Sequence, residues 1–103
     1  MKAAQITNYG GDEVVQINKN IQMVMASQDK ILVEVLAAGV NPIDWKIREG
    51  FARKWGDVQL PLTLGHDFSG TITEIGQNVT GFRKGEEIYG QVDVIHGTGS
   101  FAE

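Results

Sequence analysis

Glycine is the dominant punctuation of this chain, most densely after Gly39. There are 13 glycines in 103 residues, against about 7 expected at an average usage of ~7%. Between them lie brief runs rich in Val, Ile and Leu, and such runs bounded by glycine turns predict strands. Lys2–Asn8 reads as a first strand ending at Gly10-Gly11, and the alternating Val14–Lys19 as a second. Gln28-Asp29-Lys30 is a polar turn before Ile31–Ala38, the strongest strand. Ile31, Val33 and Val35 share one face, with Leu32, Glu34 and Leu36 on the other. Both faces are largely apolar, so the pattern predicts cover on both sides. Leu60-Pro61-Leu62 is expected to be extended, Phe68–Ile75 and Glu87–Val94 to be strands, and Gly81–Gly85 a tight turn. The fold class is therefore mainly β, a barrel or sandwich.

One segment departs from this pattern. Asn41-Pro42 places an N-cap residue before a proline at the first helical position, a helix-start signal. Ile43, Trp45 and Ile47 keep no clean helical face, so a short helix or helical turn ending near Gly50 is expected. Asn41, Asp44, Trp45, Lys46, Arg48 and Glu49 crowd chemistry-bearing groups directly after an apolar strand.

Composition narrows the function. Residues 1–103 fit one domain. The formal net charge of −4 argues against nucleic acid as the main partner, because phosphate binding needs a cationic surface. No cysteine is present, which excludes disulfides, thiol catalysis and Cys-ligated zinc. No apolar run approaches the ~20 residues that span a bilayer, and Met1–Ile6 lacks a signal-peptide core, so no membrane partner and a cytoplasmic location are expected. Asn78-Val79-Thr80 matches a glycosylation acceptor that such a location leaves unused.

Three segments in register carry a resemblance. They are Gly39-Val40-Asn41-Pro42-Ile43-Asp44, Leu60-Pro61 through Gly65-His66-Asp67-Phe68-Ser69-Gly70, and Gly76 through Lys84-Gly85-Glu86 with Tyr89-Gly90. Together they resemble the N-terminal catalytic domain of the medium-chain dehydrogenase/reductase superfamily, and most closely its zinc-free quinone and alkenal reductases. The resemblance implies a GroES-like, partly open β-barrel with one or two short helical turns. It also implies a chain incomplete at its C-terminal end, since Gly99-Ser100-Phe101-Ala102-Glu103 leads into a further strand in that family. The nucleotide-binding domain is not in these residues. Gly97-Thr98-Gly99-Ser100-Phe101-Ala102 fits G-x-G-x-x-G/A, but a single residue follows it, and the fingerprint has meaning only between a strand and a helix.

The resemblance further implies NADPH as hydride donor, held mainly by the missing domain, and a small quinone or α,β-unsaturated carbonyl as substrate. Zinc-dependent members carry Cys where this chain has Asn41, and Gly-His-Glu where it has Gly65-His66-Asp67. No zinc is expected, because a catalytic zinc site usually takes three protein ligands. Asn41 matches the family's Asn near the nicotinamide and is the first catalytic and cofactor-binding candidate; alternatively it only caps the helix. Lys46 is the second, able to bring an ammonium near developing charge, or else a solvated lysine. Asp44 is a cofactor-side candidate that could instead hold Lys46 or Arg48 or cap the turn. Trp45, His66 and Asp67 are substrate-binding candidates. Trp45 reads alternatively as core, and His66-Asp67 as a pair that fixes the Gly65–Gly70 turn. His96 is a minor candidate. Lys46, Arg48, Arg53 and Lys54 stand against Glu49 alone, facing either cofactor phosphate or solvent.

The expected protein is thus a piece of a zinc-independent NADPH-dependent oxidoreductase, inactive by itself and able to dimerise through an open sheet edge. Its alternatives are a free-standing binding or assembly module of the same fold, and a zinc alcohol dehydrogenase with atypical ligands.

Overall fold

The computed structural model describes residues 1–56, 58–95 and 98–103. His96 and Gly97, one a minor candidate and the other the opening of the rejected fingerprint, lie outside the described residues. Six strands form two antiparallel three-stranded sheets. The first holds β1 (Ala3–Ile6), β2 (Val15–Asn18) and β4 (Leu62–Thr63) in the order β2-β1-β4. The second holds β3 (Ile31–Gly39), β5 (Asp67–Ile75) and β6 (Glu87–Gln91) in the order β3-β5-β6. Helix α1 (Pro42–Arg48) follows β3, with short 3-10 turns at Asp12–Val14 and Phe51–Lys54.

The mainly β expectation holds, and so does the single short helix. Pro42 opens α1, and Gly50, at φ 96°, closes it in the left-handed region that glycine tolerates. Ile43 and Ile47, one helical turn apart, turn inward, and Ile47 is 1% exposed. It packs in a core with Ile6, Val14, Ala52, Leu62, Leu64 and Val94. Burying an isoleucine there contributes roughly 1.5–3 kcal/mol. This core ties α1 to the first sheet and thereby fixes where α1 begins.

Several expectations need correction. Val14 does not start β2; it sits buried at the end of a 3-10 turn, where it serves the core instead of the ladder. The strand expected through Val94 stops at Gln91, because Val94 leaves the sheet to bury fully in the core. The largest correction concerns β3. It is an edge strand, and Leu36 is 66% exposed, so β3 is not covered on both sides. Its register with β5 slips between Leu32 and Val33 and again between Val35 and Ala37, which leaves Leu36 without a partner. The first slip skips Thr73 of β5; the second skips Leu36 in β3 itself and breaks the period-two alternation on which the two-face reading rests.

The turn at Gly81–Gly85 forms as expected: both glycines have φ near 90°, and Gly85 N–H donates to Ile72 C=O at 2.8 Å. Residues 99–102 run against β1, with Ala102 bridged antiparallel to Ala3 and Ala4 N–H donating to Phe101 C=O at 2.8 Å.

Candidate active site

Two sequence-distant segments meet at one end of the second sheet. The pairing of β3 with β5 sets Gly39 opposite Asp67, and β6 sets Gln91 on the other side of Asp67. Two residues beyond Gly39 the chain turns into α1 at Asn41, which keeps an extended backbone (φ −129°, ψ 157°) suited to an N-cap. Asn41 and Asp44 form a capping box, in which Asn41 N–H donates to Asp44 Oδ2 at 2.7 Å. In the reciprocal half of the box the Asn41 side chain faces the Asp44 backbone N–H, which leaves its NH₂ end to reach sideways. Its Nδ2 donates to Asp67 Oδ2 at 2.7 Å, 26 residues away in sequence, a length typical of a charge-assisted bond.

His66 precedes Asp67 at this corner. Its backbone carbonyl accepts from Val92 N–H at 2.9 Å, while its buried Nδ1 has no hydrogen-bond partner among the described residues. Gly65 has φ 101°, and a Cβ there would lie 2.5 Å from both Ser100 Oγ and a ring carbon of Phe101. The segment 99–102 thus straps the corner. Ser100 N–H donates to Gly65 C=O at 3.0 Å, and Ser100 Oγ donates to Asp67 C=O at 2.8 Å.

The remaining candidates lie on α1 and the turn after it. Asp44 is buried at 6% exposure and is a capping residue, with no ion pair to Lys46 or Arg48; its Oδ1 has no partner. Trp45 is 42% exposed and is not core. Phe51 meets it edge-on, with ring centroids 6.0 Å apart, and Lys46 Nζ lies 5.8 Å from the Trp45 ring centroid. The cation cluster divides in two. Arg48 is committed to the fold, with Nη1 on Asp12 Oδ1 at 2.8 Å and Nε on Gly10 C=O at 3.1 Å. Arg53 is likewise committed, with Nε on Gly50 C=O at 3.0 Å and its guanidinium over Tyr9. Lys46 and Lys54 touch aromatic faces and, among the described residues, pair with no carboxylate. Two open grooves elsewhere, one by Gln5, Gln16 and Pro61 and one by Ala26, Glu74 and Lys84, share no residue with this corner.

Sequence reading therefore placed Asn41 and Asp67 separately, and the structure joins them. Phe51 and Ser100 were missed as parts of the neighbourhood. The first carries no motif, and the second becomes relevant only through a contact spanning 33 residues.

The family described as Alcohol dehydrogenase GroES-like domain matches residues 27–103. This chain belongs to that family. As a GroES-like domain it is 33% identical to the quinone oxidoreductase of Lama guanicoe over 103 residues, 99% of this chain and 30% of that protein. It is 36% identical to the chloroplastic NADPH-dependent alkenal/one oxidoreductase of Arabidopsis thaliana over 92 residues, 89% of this chain and 24% of that protein. The solved quinone oxidoreductase of Coxiella burnetii superposes on this GroES-like domain with a TM-score of 0.86 at 31% identity, covering 98% of this chain and 32% of that one. The chain thus spans about a quarter to a third of the length of these relatives. The chain is a GroES-like domain of the medium-chain dehydrogenase/reductase superfamily, and its relatives are quinone and alkenal oxidoreductases.

Among the described residues, no group of three or more His, Cys, Asp or Glu side chains is placed to hold a metal ion. Among the same residues, no helix is long and apolar enough to cross a membrane.

Proposed function

We propose that the parent of this domain reduces quinones or α,β-unsaturated carbonyls with NADPH and without zinc. The observation that carries this reading is the Asn41–Asp67 bridge. In a zinc site that corner would offer separate ligands to a metal; here the amide and the carboxylate are spent on each other. An amide is also a poor substitute for a thiolate ligand. The relatives support the substrate class, since they include both quinone and NADPH-dependent alkenal/one oxidoreductases.

NADPH, when bound, supplies the hydride. Hydride addition to a conjugated carbonyl or a quinone leaves negative charge on the substrate oxygen, and the protein must meet that charge with donors. Asn41 has one Nδ2 hydrogen left after the bond to Asp67, on a side chain only half-buried at the junction of β3 and α1. Lys46 brings an exposed ammonium one turn along, steered by the Trp45 face. Trp45 and Phe51 form an aromatic wall beside them, suited to a flat unsaturated substrate. Asn41, Asp44 and Lys46 are the groups of this chain assigned to the cofactor side by the family resemblance, with Asp44 acting through its cap on Asn41.

The test is kinetic and analytical. The full-length parent, purified with and without chelator, is assayed with NADPH against 1,4-benzoquinone and 2-hexenal, and its zinc content is measured. The reading expects turnover that the chelator leaves unchanged, and a loss on the order of 10²-fold in kcat for Asn41→Ala, the scale of one lost oxyanion donor. Zinc at one equivalent with chelator-sensitive activity favours the atypical alcohol dehydrogenase, and no turnover with either substrate favours the binding module.

A further inference from the structure

We propose that Asp67 is a positioning residue: it fixes which end of the Asn41 carboxamide faces the substrate, and does not itself touch substrate. The inference rests on the assignment of Asn41 as an electrostatic donor in the proposed function. A carboxamide has two ends of nearly equal size, a donating NH₂ and an accepting oxygen. A half-turn about its last bond exchanges them, so an unrestrained Asn41 would present an acceptor as readily as a donor to a substrate oxygen that needs a donor. A carboxylate only accepts. Its contact with Nδ2 at 2.7 Å therefore selects one orientation and leaves the second Nδ2 hydrogen directed away from Asp67.

Both ends of the bridge are anchored. Asp67 sits between Gly39 and Gln91 in the sheet, and its carbonyl accepts the Ser100 hydroxyl. Asn41 is held by Asp44 through both halves of the capping box, its backbone N–H on Asp44 Oδ2 and its side chain against the Asp44 N–H, and Asp67 completes the restraint at the NH₂ end. Gly39 leaves the bridge uncovered. A Cβ at that position would lie 3.4 Å from Asp67 Cβ, 3.5 Å from Oδ2 and 4.0 Å from Asn41 Nδ2. Any larger side chain there would lie against both partners. The same bridge turns the Asp67 carboxylate toward Asn41, which is why a role as substrate ligand fits it less well than a role through its neighbour.

The experiment is a double-mutant cycle in the full-length parent, assayed with NADPH and 1,4-benzoquinone and paired with thermal melts of every variant. Asp67→Asn keeps the shape of the side chain but can donate as well as accept, so residue 67 no longer selects the orientation of Asn41. The expected result is a fall in kcat of about tenfold with KM nearly unchanged, the mark of an interaction made in the transition state. In the Asn41→Ala background the same Asp67→Asn change is expected to alter kcat less than twofold. Equal losses in both backgrounds, a rise in KM alone, or full activity of Asp67→Asn would overturn the proposal while leaving the proposed function in place. Full activity of the single variant Asn41→Ala removes the assignment of Asn41 itself, and with it both readings of this corner. If Asp67→Asn does not fold, Asp67→Glu carries the same comparison: a carboxylate on a longer arm still selects the NH₂ end, and it is expected to retain most of kcat in the Asn41 background.

Discussion

Ile47 shows how a residue without chemistry governs one that has it. It is 1% exposed, six positions beyond Asn41, and packs among Ile6, Leu62 and Val94. Truncation to alanine leaves a cavity as well as losing the transferred surface. Ile47→Ala is expected to destabilise the chain by about 2–5 kcal/mol, read from the denaturant midpoint at unchanged slope. At this scale Asn41 and the start of α1 were legible from local grammar, since an N-cap followed by proline depends on neighbours alone. The partnership of Asn41 with Asp67 was not legible, because it joins positions 26 apart through strand register. Trp45 was open between pocket and core because size and apolarity fit both. What decides it is the turn of α1 that sends Ile43 and Ile47 inward and leaves Trp45 out.

Among elements, the β3–β5 pair bears the site, and Gly70 is its tightest point. A Cβ at Gly70 would stand 2.1 Å from the Glu34 carbonyl oxygen of the neighbouring strand, a contact with backbone that no rotamer relieves. Gly70→Ala is expected to part the strands locally. Amide hydrogen exchange should accelerate along Val33–Gly39 ahead of global unfolding; unchanged protection there would count against it. Element positions were readable from glycine spacing, while β3 misled. Its alternation of apolar residues is real, but the two slips in register cannot be seen in a single strand, because a bulge belongs to a pair. The early end of β6 at Gln91 has a related cause: Val94 suits a strand and a core equally, and the core won.

The whole molecule exposes a number of large apolar side chains. Its radius of gyration is 13.8 Å, against roughly 13 Å for a compact chain of this length. Among the described residues, exposed side chains include Ile17, Met23, Met25, Leu36, Val40, Trp55 and Tyr89. Strand β3 adds an unpaired edge nine residues long. We expect this chain by itself to self-associate, with a sedimentation coefficient that rises over the micromolar range; a concentration-independent monomer would refute that. We also expect it to show no NADPH oxidation with 1,4-benzoquinone, because the described residues supply donors for substrate and no nucleotide-binding βαβ unit.

The strap over the corner has a meaning in time. Ser100 and Phe101 close on Gly65 and Asp67, and Phe101 also pairs with Ala4 near the start of the chain. Ser100 is 33 residues beyond Asp67. At a synthesis rate of about 5–20 residues per second, roughly 2–7 seconds separate the two during translation. Throughout that interval β1 and the Gly65–Asp67 corner exist without their lid. Of the contacts described at this corner, those made by Ser100 and Phe101 are therefore the last to become possible as the chain leaves the ribosome.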